Sequence, residues 1–299
     1  MWRCPEVRGD APPHRSVRVS SPIGIERVIL VVLDGLRPDA VERLRLHNWN
    51  RLAARGASTL QATTVAPSIT TAAMASLLTG VAPESHGIRS DRLHAPRASR
   101  HVHPLPRCLR GAGVPTSAYI RTIPWIFRGV ASRWSKALGV GDPNFVGAHA
   151  HDVVYAARRR LADPRRGMIL MHLPDADRAG HEYGWMSDEY LAGAQRLDAA
   201  LGLVSAFGLV DEDPATLLIA FADHGGGGTD PRDHDSAHPL NATIPLLVSG
   251  ACVRQGALDA RASLLDVPAT VLWSFGVPIP PSYAGKPLLE AFKQIPVAA

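Results

Sequence analysis

The sequence of 299 residues contains little cysteine and no long hydrophobic run. Its cysteines, Cys4, Cys108 and Cys252, are widely separated and form no CxxC pair. This pattern argues against a disulfide framework and against a zinc site built from thiolates, and it favours a reducing compartment. The apolar run nearest the start, 28–33, is too short to span a membrane and follows no signal-peptide pattern. We therefore predict a cytoplasmic protein.

Lysine is also scarce, because only Lys136, Lys286 and Lys293 occur among the 32 basic residues. The net charge of +5 is therefore carried almost entirely by arginine, whose planar guanidinium pairs well with phosphate oxygens. No block of like charges occurs, so the charge pattern does not predict a surface that binds nucleic acid. Coding bias explains the arginine excess best, since Ala, Gly and Pro are abundant as well.

Four apolar runs predict the strands of a buried sheet. The runs are 27–33, 167–173, 216–222 and 244–249. They are nearly continuous in aliphatic residues, as in strands that are buried on both faces. Helical stretches lie between them at roughly 40–54, 71–78, 151–161, 187–207 and 263–275. This alternation predicts an α/β fold with a mainly parallel central sheet flanked by helices on both faces.

The fold is predicted to begin after a loose N-terminal arm. Residues 1–26 contain several prolines and scattered arginines without periodicity. Residues 27–299 are predicted to form a single domain, since one α/β domain of this size is common. In the predicted helix 187–207, apolar residues recur at steps of three and four, and we expect Asp198 to lie on the helix surface.

Acidic residues follow three of the apolar runs. Asp34 follows the first run, Asp175 and Asp177 follow the second, and Asp223 and His224 follow the third. In open α/β sheets, ligands bind beyond the carboxyl ends of the strands. We therefore expect these separate segments to converge on one crevice, although each acidic residue alone would be explained as a turn or cap.

Histidines near these carboxylates indicate a metal site. His181 lies four residues after Asp177, so both side chains project from one face of a helical turn. His234 and His238 lie in a polar loop that begins with the glycines 225–228. Carboxylate and imidazole ligands suit zinc, or manganese as a second choice, better than magnesium or calcium.

Thr70 precedes a short apolar helical stretch. Thr is a common helix N-cap, so capping alone would explain this residue. A hydroxyl at a helix N-terminus also lies beside free N–H groups, which can bind phosphate. A metal bound to such a hydroxyl would lower its pKa and make it a nucleophile.

Several motifs occur in a fixed order along the chain. They are VILVVLDGLRPD at 28–39, PSIT at 67–70, LTG at 78–80, PESHGI at 83–88, DRAGHEYG at 177–184 and ADHG at 222–225. The segments LDVPATVL at 265–272 and GKPL at 285–288 follow. This series resembles the alkaline phosphatase superfamily, most closely its type I phosphodiesterase/nucleotide pyrophosphatase branch.

The resemblance implies a three-layer sandwich domain with two divalent ions, zinc first and manganese second. One ion would be held by Asp34, Thr70, Asp223 and His224, and the other by Asp177, His181 and His234. His234 is preferred to His238 because it stands ten residues before Ile244, which is the spacing expected in relatives. Whether His238 or Asp175 joins the site stays open.

The resemblance also implies a function. It predicts a hydrolase that cleaves phosphodiester or pyrophosphate bonds through a phosphothreonine intermediate at Thr70, with a small phosphate ester such as a nucleotide as substrate. The chain departs from the family at 71–73, where relatives have Phe-Pro-Asn, and after Ile88, where an expected Asn is replaced by Arg89 and Ser90. A phosphomonoesterase, a phosphonate hydrolase and a catalytically silent metal-binding scaffold are therefore kept as alternatives, and the oligomeric state stays open.

Overall fold

The computed structural model describes residues 21–90, 102–122 and 125–293. These residues form one sheet of eight strands. The strands are β1 (Arg27–Leu33), β2 (Ala57–Thr63), β3 (Thr116–Ile120), β4 (Asp142–Phe145), β5 (Gly167–Leu173), β6 (Thr216–Phe221), β7 (Thr243–Ser249) and β8 (Gly256–Ala257). Their order across the sheet is β4-β3-β5-β1-β6-β7-β2-β8. The strands from β4 to β6 are parallel, whereas β7 is antiparallel to both of its neighbours.

Helices form two groups around this sheet. They are α1 (Pro38–Leu44), α2 (His47–Ala53), α3 (Thr70–Thr79), α4 (Pro83–His86), α5 (Leu105–Gly111), α6 (Trp125–Leu138), α7 (Ala150–Leu161), α8 (Asp175–Tyr183), α9 (Asp188–Phe207), α10 (Pro239–Ala242) and α11 (Asp266–Ser274). In one group α1, α2, α7 and α8 contact α9, and in the other α3 and α5 contact α11. Because every residue of β1 is buried, both faces of the central sheet are covered. The predicted α/β fold is confirmed.

The predicted strands differ from the observed ones mainly in direction and number. β1 and β5 have the predicted bounds, and β6 ends one residue earlier than predicted. The fourth apolar run is a strand, β7, but it runs antiparallel because the connection from β6 stays at the carboxyl edge of the sheet. The sequence analysis missed β2, which is only partly buried and carries polar residues, and it also missed the short strands β3, β4 and β8.

The predicted helix 40–54 is two helices, separated at Arg45, which adopts a left-handed backbone with a φ of 48°. The second helix, α2, is capped from another part of the chain. The Asp198 carboxylate accepts hydrogen bonds from the backbone N–H groups of Asn48 and Trp49, at 3.0 Å and 2.8 Å. Asp198 is only 8% exposed, so its predicted position on the surface is wrong. Helical periodicity does not reveal a cap that is supplied by a distant helix.

Most of the predicted N-terminal arm lies outside the described residues. Of residues 21–26, which are described, Ile25 is fully buried and the Ser21 hydroxyl donates a hydrogen bond to the carbonyl of Ser274. Within the described ranges, no helix is both long enough and apolar enough to cross a bilayer.

The sheet order brings three strand ends together. β1 lies between β5 and β6, with Leu33 paired to Leu173 and Val32 paired to Phe221. These parallel strands therefore end at the same edge, and Asp34 at the end of β1 donates its backbone N–H to Leu173 at 3.0 Å. The segments that carry the predicted metal ligands leave the sheet side by side.

We predict that the variant Asp198→Ala unfolds more easily than the wild type. The substitution removes the cap of α2 and leaves the N–H groups of Asn48 and Trp49, the second of them buried, without their acceptor, so the free energy of unfolding should fall by about 1–3 kcal/mol. Urea denaturation of the purified protein measures this change. Glu212→Ala, at an exposed position, is the control, and equal stability of the two variants would contradict the capping role.

Candidate metal centre

The first cluster of candidate ligands consists of Asp34, Asp223 and His224. Asp34 leaves the end of β1, and the Asp223–His224 pair follows β6. His224 Nε2 lies 3.4 Å from Asp34 Oδ1 and 3.6 Å from Asp223 Oδ2. All three residues are buried, and these atoms are close enough together to bind one ion.

Thr70 lies beside this first cluster. Its Oγ1 is 3.0 Å from His224 Nε2. Thr70 is the first residue of α3, one residue before the predicted start, and Ile69 occupies the N-cap position. The Thr70 side chain therefore does not cap the helix, and its hydroxyl lies among the candidate metal ligands.

The second cluster consists of Asp177, His181 and His234. Asp177 and His181 lie one turn apart on α8, and His181 Nε2 is 3.4 Å from Asp177 Oδ1. His234 comes from the loop between β6 and β7, and its Nε2 lies 3.1 Å from His181 Nε2 and 3.7 Å from Asp177 Oδ1. The His181 side chain is 46% exposed, whereas that of His234 is 5% exposed, so the centre opens toward solvent at His181.

The two clusters form one centre. The rings of His224 and His234 stack with their centroids 3.8 Å apart, and Asp177 Oδ1 lies 3.9 Å from His224 Nε2. Gly35, whose φ is 68°, allows β1 and α8 to approach closely, because a Cβ at that position would lie 2.8 Å from Asp177 Cα. The structure therefore brings together all seven residues for which the sequence predicts metal binding.

Backbone carbonyls fix the orientation of the three histidine rings. The Nδ1 atoms of His181, His224 and His234 lie 2.9 Å, 2.8 Å and 2.7 Å from the carbonyl oxygens of Arg232, Gly225 and Ser68, respectively. A carbonyl oxygen can only accept, so each Nδ1 donates its N–H, and Nε2 is the ring nitrogen that faces the candidate ligands. Histidines that bind metals are commonly oriented in this way.

The charge balance of the centre fits bound cations. The carboxylate atoms Asp34 Oδ1, Asp177 Oδ1 and Asp223 Oδ2 are buried and have no hydrogen-bond partner among the residues that the structure describes. Burial and the neighbouring Asp34 raise the pKa of Asp177 to about 6. Burial alone would lower the pKa of His224, but the surrounding carboxylates outweigh it and raise that pKa to about 10. These carboxylates, with three oriented imidazoles, are a donor set that suits divalent ions such as zinc.

The two residues that the sequence analysis left open lie outside the centre. Asp175 is fully buried, but its carboxylate accepts hydrogen bonds from the backbone of Ala150 at 2.6 Å and from Arg196 Nε at 2.9 Å. His238 Nδ1 accepts a hydrogen bond from the backbone N–H of Leu240 at 3.1 Å, which caps α10. The structure therefore gives both residues local structural contacts.

The sequence analysis missed one histidine at the centre. His172 lies near the end of β5, and its Nε2 is 3.6 Å from Asp34 Oδ2 and 3.8 Å from Asp223 Oδ2. A sequence signal was present, because His172 is the only polar side chain in the otherwise apolar run 167–173. The apolar pattern of the run predicts a buried strand and by itself gives no indication that His172 lies at the metal centre.

Known solved structures share this fold. A structure of murine ectonucleotide pyrophosphatase/phosphodiesterase 5 in complex with AMP superposes with a TM-score of 0.70, at 13% identity over 90% of this chain and 100% of that chain. Phosphonate monoester hydrolase from Silicibacter pomeroyi gives a TM-score of 0.64, at 16% identity over 90% of this chain and 77% of that chain. Lipoteichoic acid synthase from Listeria monocytogenes gives a TM-score of 0.67, at 12% identity over 93% and 77% of the two chains. At these identities the likeness shows the fold alone.

Sequence comparison identifies the family. A search of curated proteins found no match. The family model described as type I phosphodiesterase/nucleotide pyrophosphatase matches residues 28–107 and 108–262, which is most of the chain and includes every residue of both clusters. The chain therefore belongs to the type I phosphodiesterase/nucleotide pyrophosphatase family of the alkaline phosphatase superfamily.

Proposed function

We propose that the protein is a hydrolase of phosphodiester or pyrophosphate bonds that depends on two divalent ions and works through a phosphothreonine intermediate. The observation that carries this proposal is the position of the Thr70 hydroxyl, 3.0 Å from His224 Nε2 at the start of α3. The first ion would be held by Asp34, Thr70, Asp223 and His224, and the second by Asp177, His181 and His234. Zinc is our first choice and manganese the second.

Bound divalent ions would lower the pKa values of the Thr70 hydroxyl and of a water molecule and would offset the negative charge of the phosphate. The Thr70 oxygen attacks phosphorus, and the bond from phosphorus to the leaving oxygen breaks. The N-terminus of α3 lies beside the phosphate and offers backbone N–H groups to its oxygens. Water then cleaves the bond between the Thr70 oxygen and phosphorus, which releases the phosphoryl product and restores the hydroxyl.

The substrate class depends on how the non-bridging phosphate oxygens are bound. Thr71, next to the nucleophile, donates its hydroxyl to the carbonyl of Ser90 at 3.3 Å. Arg89 is instead directed toward Glu84, 3.6 Å away at an exposed position. The Thr71 contact involves only the backbone of Ser90, so Ser90 and Arg89 both stay candidates for the residue that replaces the Asn of relatives. Because the Asn of relatives is missing after Ile88, a phosphomonoesterase or phosphonate hydrolase is the second candidate. A cytoplasmic location stays a prediction that rests on the three separated cysteines.

We expect Thr70→Ala to lower the rate of phosphoester hydrolysis by about a thousandfold or more, because it removes the nucleophile. The zinc-loaded variant is compared with the wild type, and bound zinc is measured in both. Thr79→Ala serves as the matched control, since it makes the same chemical change at the other end of α3, where the hydroxyl bonds to the carbonyl of Ala75. Hydrolysis by Thr70→Ala at the wild-type rate would exclude Thr70 as the nucleophile.

A comparison of substrates separates the two candidate functions. Rates are measured for bis(p-nitrophenyl) phosphate, p-nitrophenyl phosphate and p-nitrophenyl phenylphosphonate with zinc-loaded protein. We expect the diester to be the best substrate and its hydrolysis to depend on Thr70. A Thr70-dependent preference for the monoester or the phosphonate would change the substrate class. Metal binding without hydrolysis of any of the three would favour the silent scaffold.

Zinc should stabilise the metal-free protein, because it offsets the repulsion among the buried carboxylates. At a free zinc concentration about a hundred times Kd, each site should add about 2.7 kcal/mol to the free energy of unfolding. The rise in Tm after addition of zinc to chelator-treated protein measures this effect. Asp34→Asn should lose the contribution of the first site, about half of the added free energy, and Asp188→Asn, at an exposed position on α9, should keep the full rise. A Tm that does not respond to zinc would contradict the metal centre.

A further inference from the structure

His172 is held in the middle of the sheet. It is the sixth residue of β5 and pairs with Val32 of β1, and β3 lies on the other side of β5. The side chain is only 9% exposed. Because its backbone belongs to a central strand, the sheet fixes the position of its Cα near the strand ends.

Within the described part of the chain, the buried Nε2 atom of His172 has no hydrogen-bond partner. Its nearest acidic atoms, Asp34 Oδ2 and Asp223 Oδ2, lie 3.6 Å and 3.8 Å away. Both distances exceed those of N–H···O hydrogen bonds. An unpaired buried nitrogen is costly, so an arrangement that leaves it unpaired beside two carboxylates requires an explanation.

The spacing around His172 matches that of the other ligand pairs in the centre. In the two clusters, His224 lies 3.4 Å from Asp34 and His234 lies 3.7 Å from Asp177. Two ligand atoms that are each about 2.0–2.2 Å from a shared ion stand roughly 3–4 Å apart. The position of His172 Nε2 fits this geometry as well as the position of His224 Nε2 does.

The carboxylates that face His172 offer suitable oxygens. The two oxygens of Asp34 have different neighbours, since Oδ1 lies 3.4 Å from His224 Nε2 and Oδ2 lies 3.6 Å from His172 Nε2. Asp223 uses Oδ1 to accept hydrogen bonds from the backbone N–H groups of Gly35 and His224. Its Oδ2 is left for an ion and lies within 3.8 Å of both imidazoles.

We propose that His172 binds a divalent cation of the zinc type through Nε2, together with Asp34 and Asp223. The metal centre then contains four histidine ligands, and Asp34 contributes both of its oxygens. This assignment rests on the proposed function, because it adds a ligand to the same centre. The carboxylates that would bind this cation with His172, those of Asp34 and Asp223, are also members of the first cluster.

Zinc titration of the metal-free, full-length protein tests the assignment. Calorimetry gives the stoichiometry and affinity for the wild type and for His172→Gln, in which the amide can still donate a hydrogen bond but the imidazole is lost. We expect His172→Gln to lose one bound zinc, or to bind zinc at least about tenfold more weakly. His151→Gln, at an exposed position on α7, is the matched control and should bind as the wild type does. Unchanged stoichiometry and affinity in His172→Gln would overturn the assignment.

A second measurement uses the wild type alone and stays informative if the variant does not fold. Nitrogen-15 NMR of the histidine side chains, recorded with and without zinc, shows whether Nε2 of His172 carries a proton. We expect this nitrogen to have no proton in the zinc-loaded protein and its signal to shift on zinc binding. A protonated Nε2 in the zinc-loaded protein would overturn the assignment, because a nitrogen that carries a proton cannot bind the ion.

The two experiments separate failure of this assignment from failure of the proposed function. If the wild type binds zinc and hydrolyses phosphoesters through Thr70 while His172→Gln binds zinc equally well, only the role of His172 is wrong. If the wild type binds no divalent ion, the proposed function is wrong and the role of His172 falls with it.

Discussion

The main constraint on the structure is the need to compensate the negative charge of three carboxylates whose oxygens are buried at one edge of the sheet. Asp34, Asp177 and Asp223 each have a buried oxygen to which no described residue donates a hydrogen bond. Buried negative charges of this kind are tolerated only when cations compensate them. The surrounding imidazoles direct Nε2 toward these carboxylates. In His181, His224 and His234, a backbone carbonyl accepts a hydrogen bond from Nδ1 and so fixes the orientation of the ring.

The sequence is sufficient to predict the central strands and the ends from which the ligands project. The end of a continuous apolar run marks the end of a buried strand. Asp34 and Asp223 directly follow such runs, so the sequence predicts that both lie at the carboxyl edge of the sheet. The four-residue step from Asp177 to His181 likewise predicts one face of a helix. The order of the strands was not predictable from composition or periodicity, although it is the position of β1 between β5 and β6 that makes these ends neighbours.

The features that could not be predicted are contacts between distant segments. The apolar run at 244–249 has the same composition whether its strand is parallel or antiparallel, and direction depends on where the preceding loop lies. Asp198 has the spacing of a surface residue on its own helix, and only the approach of α2 makes it a cap. His172 was not predicted because its own segment has the pattern of a buried strand. Its neighbours at the centre, Asp34 and Asp223, follow the other strands β1 and β6.

The loop between β6 and β7 carries His224 and His234, which belong to different clusters of the centre. During synthesis, the segment with Thr70 leaves the ribosome more than 150 residues before this loop does. A nascent chain that has not reached residue 234 contains Thr70 but lacks His234, so its second cluster is incomplete. The centre is therefore completed only after most of the chain has been synthesised, and an unfinished chain that ends before residue 234 cannot contain both clusters.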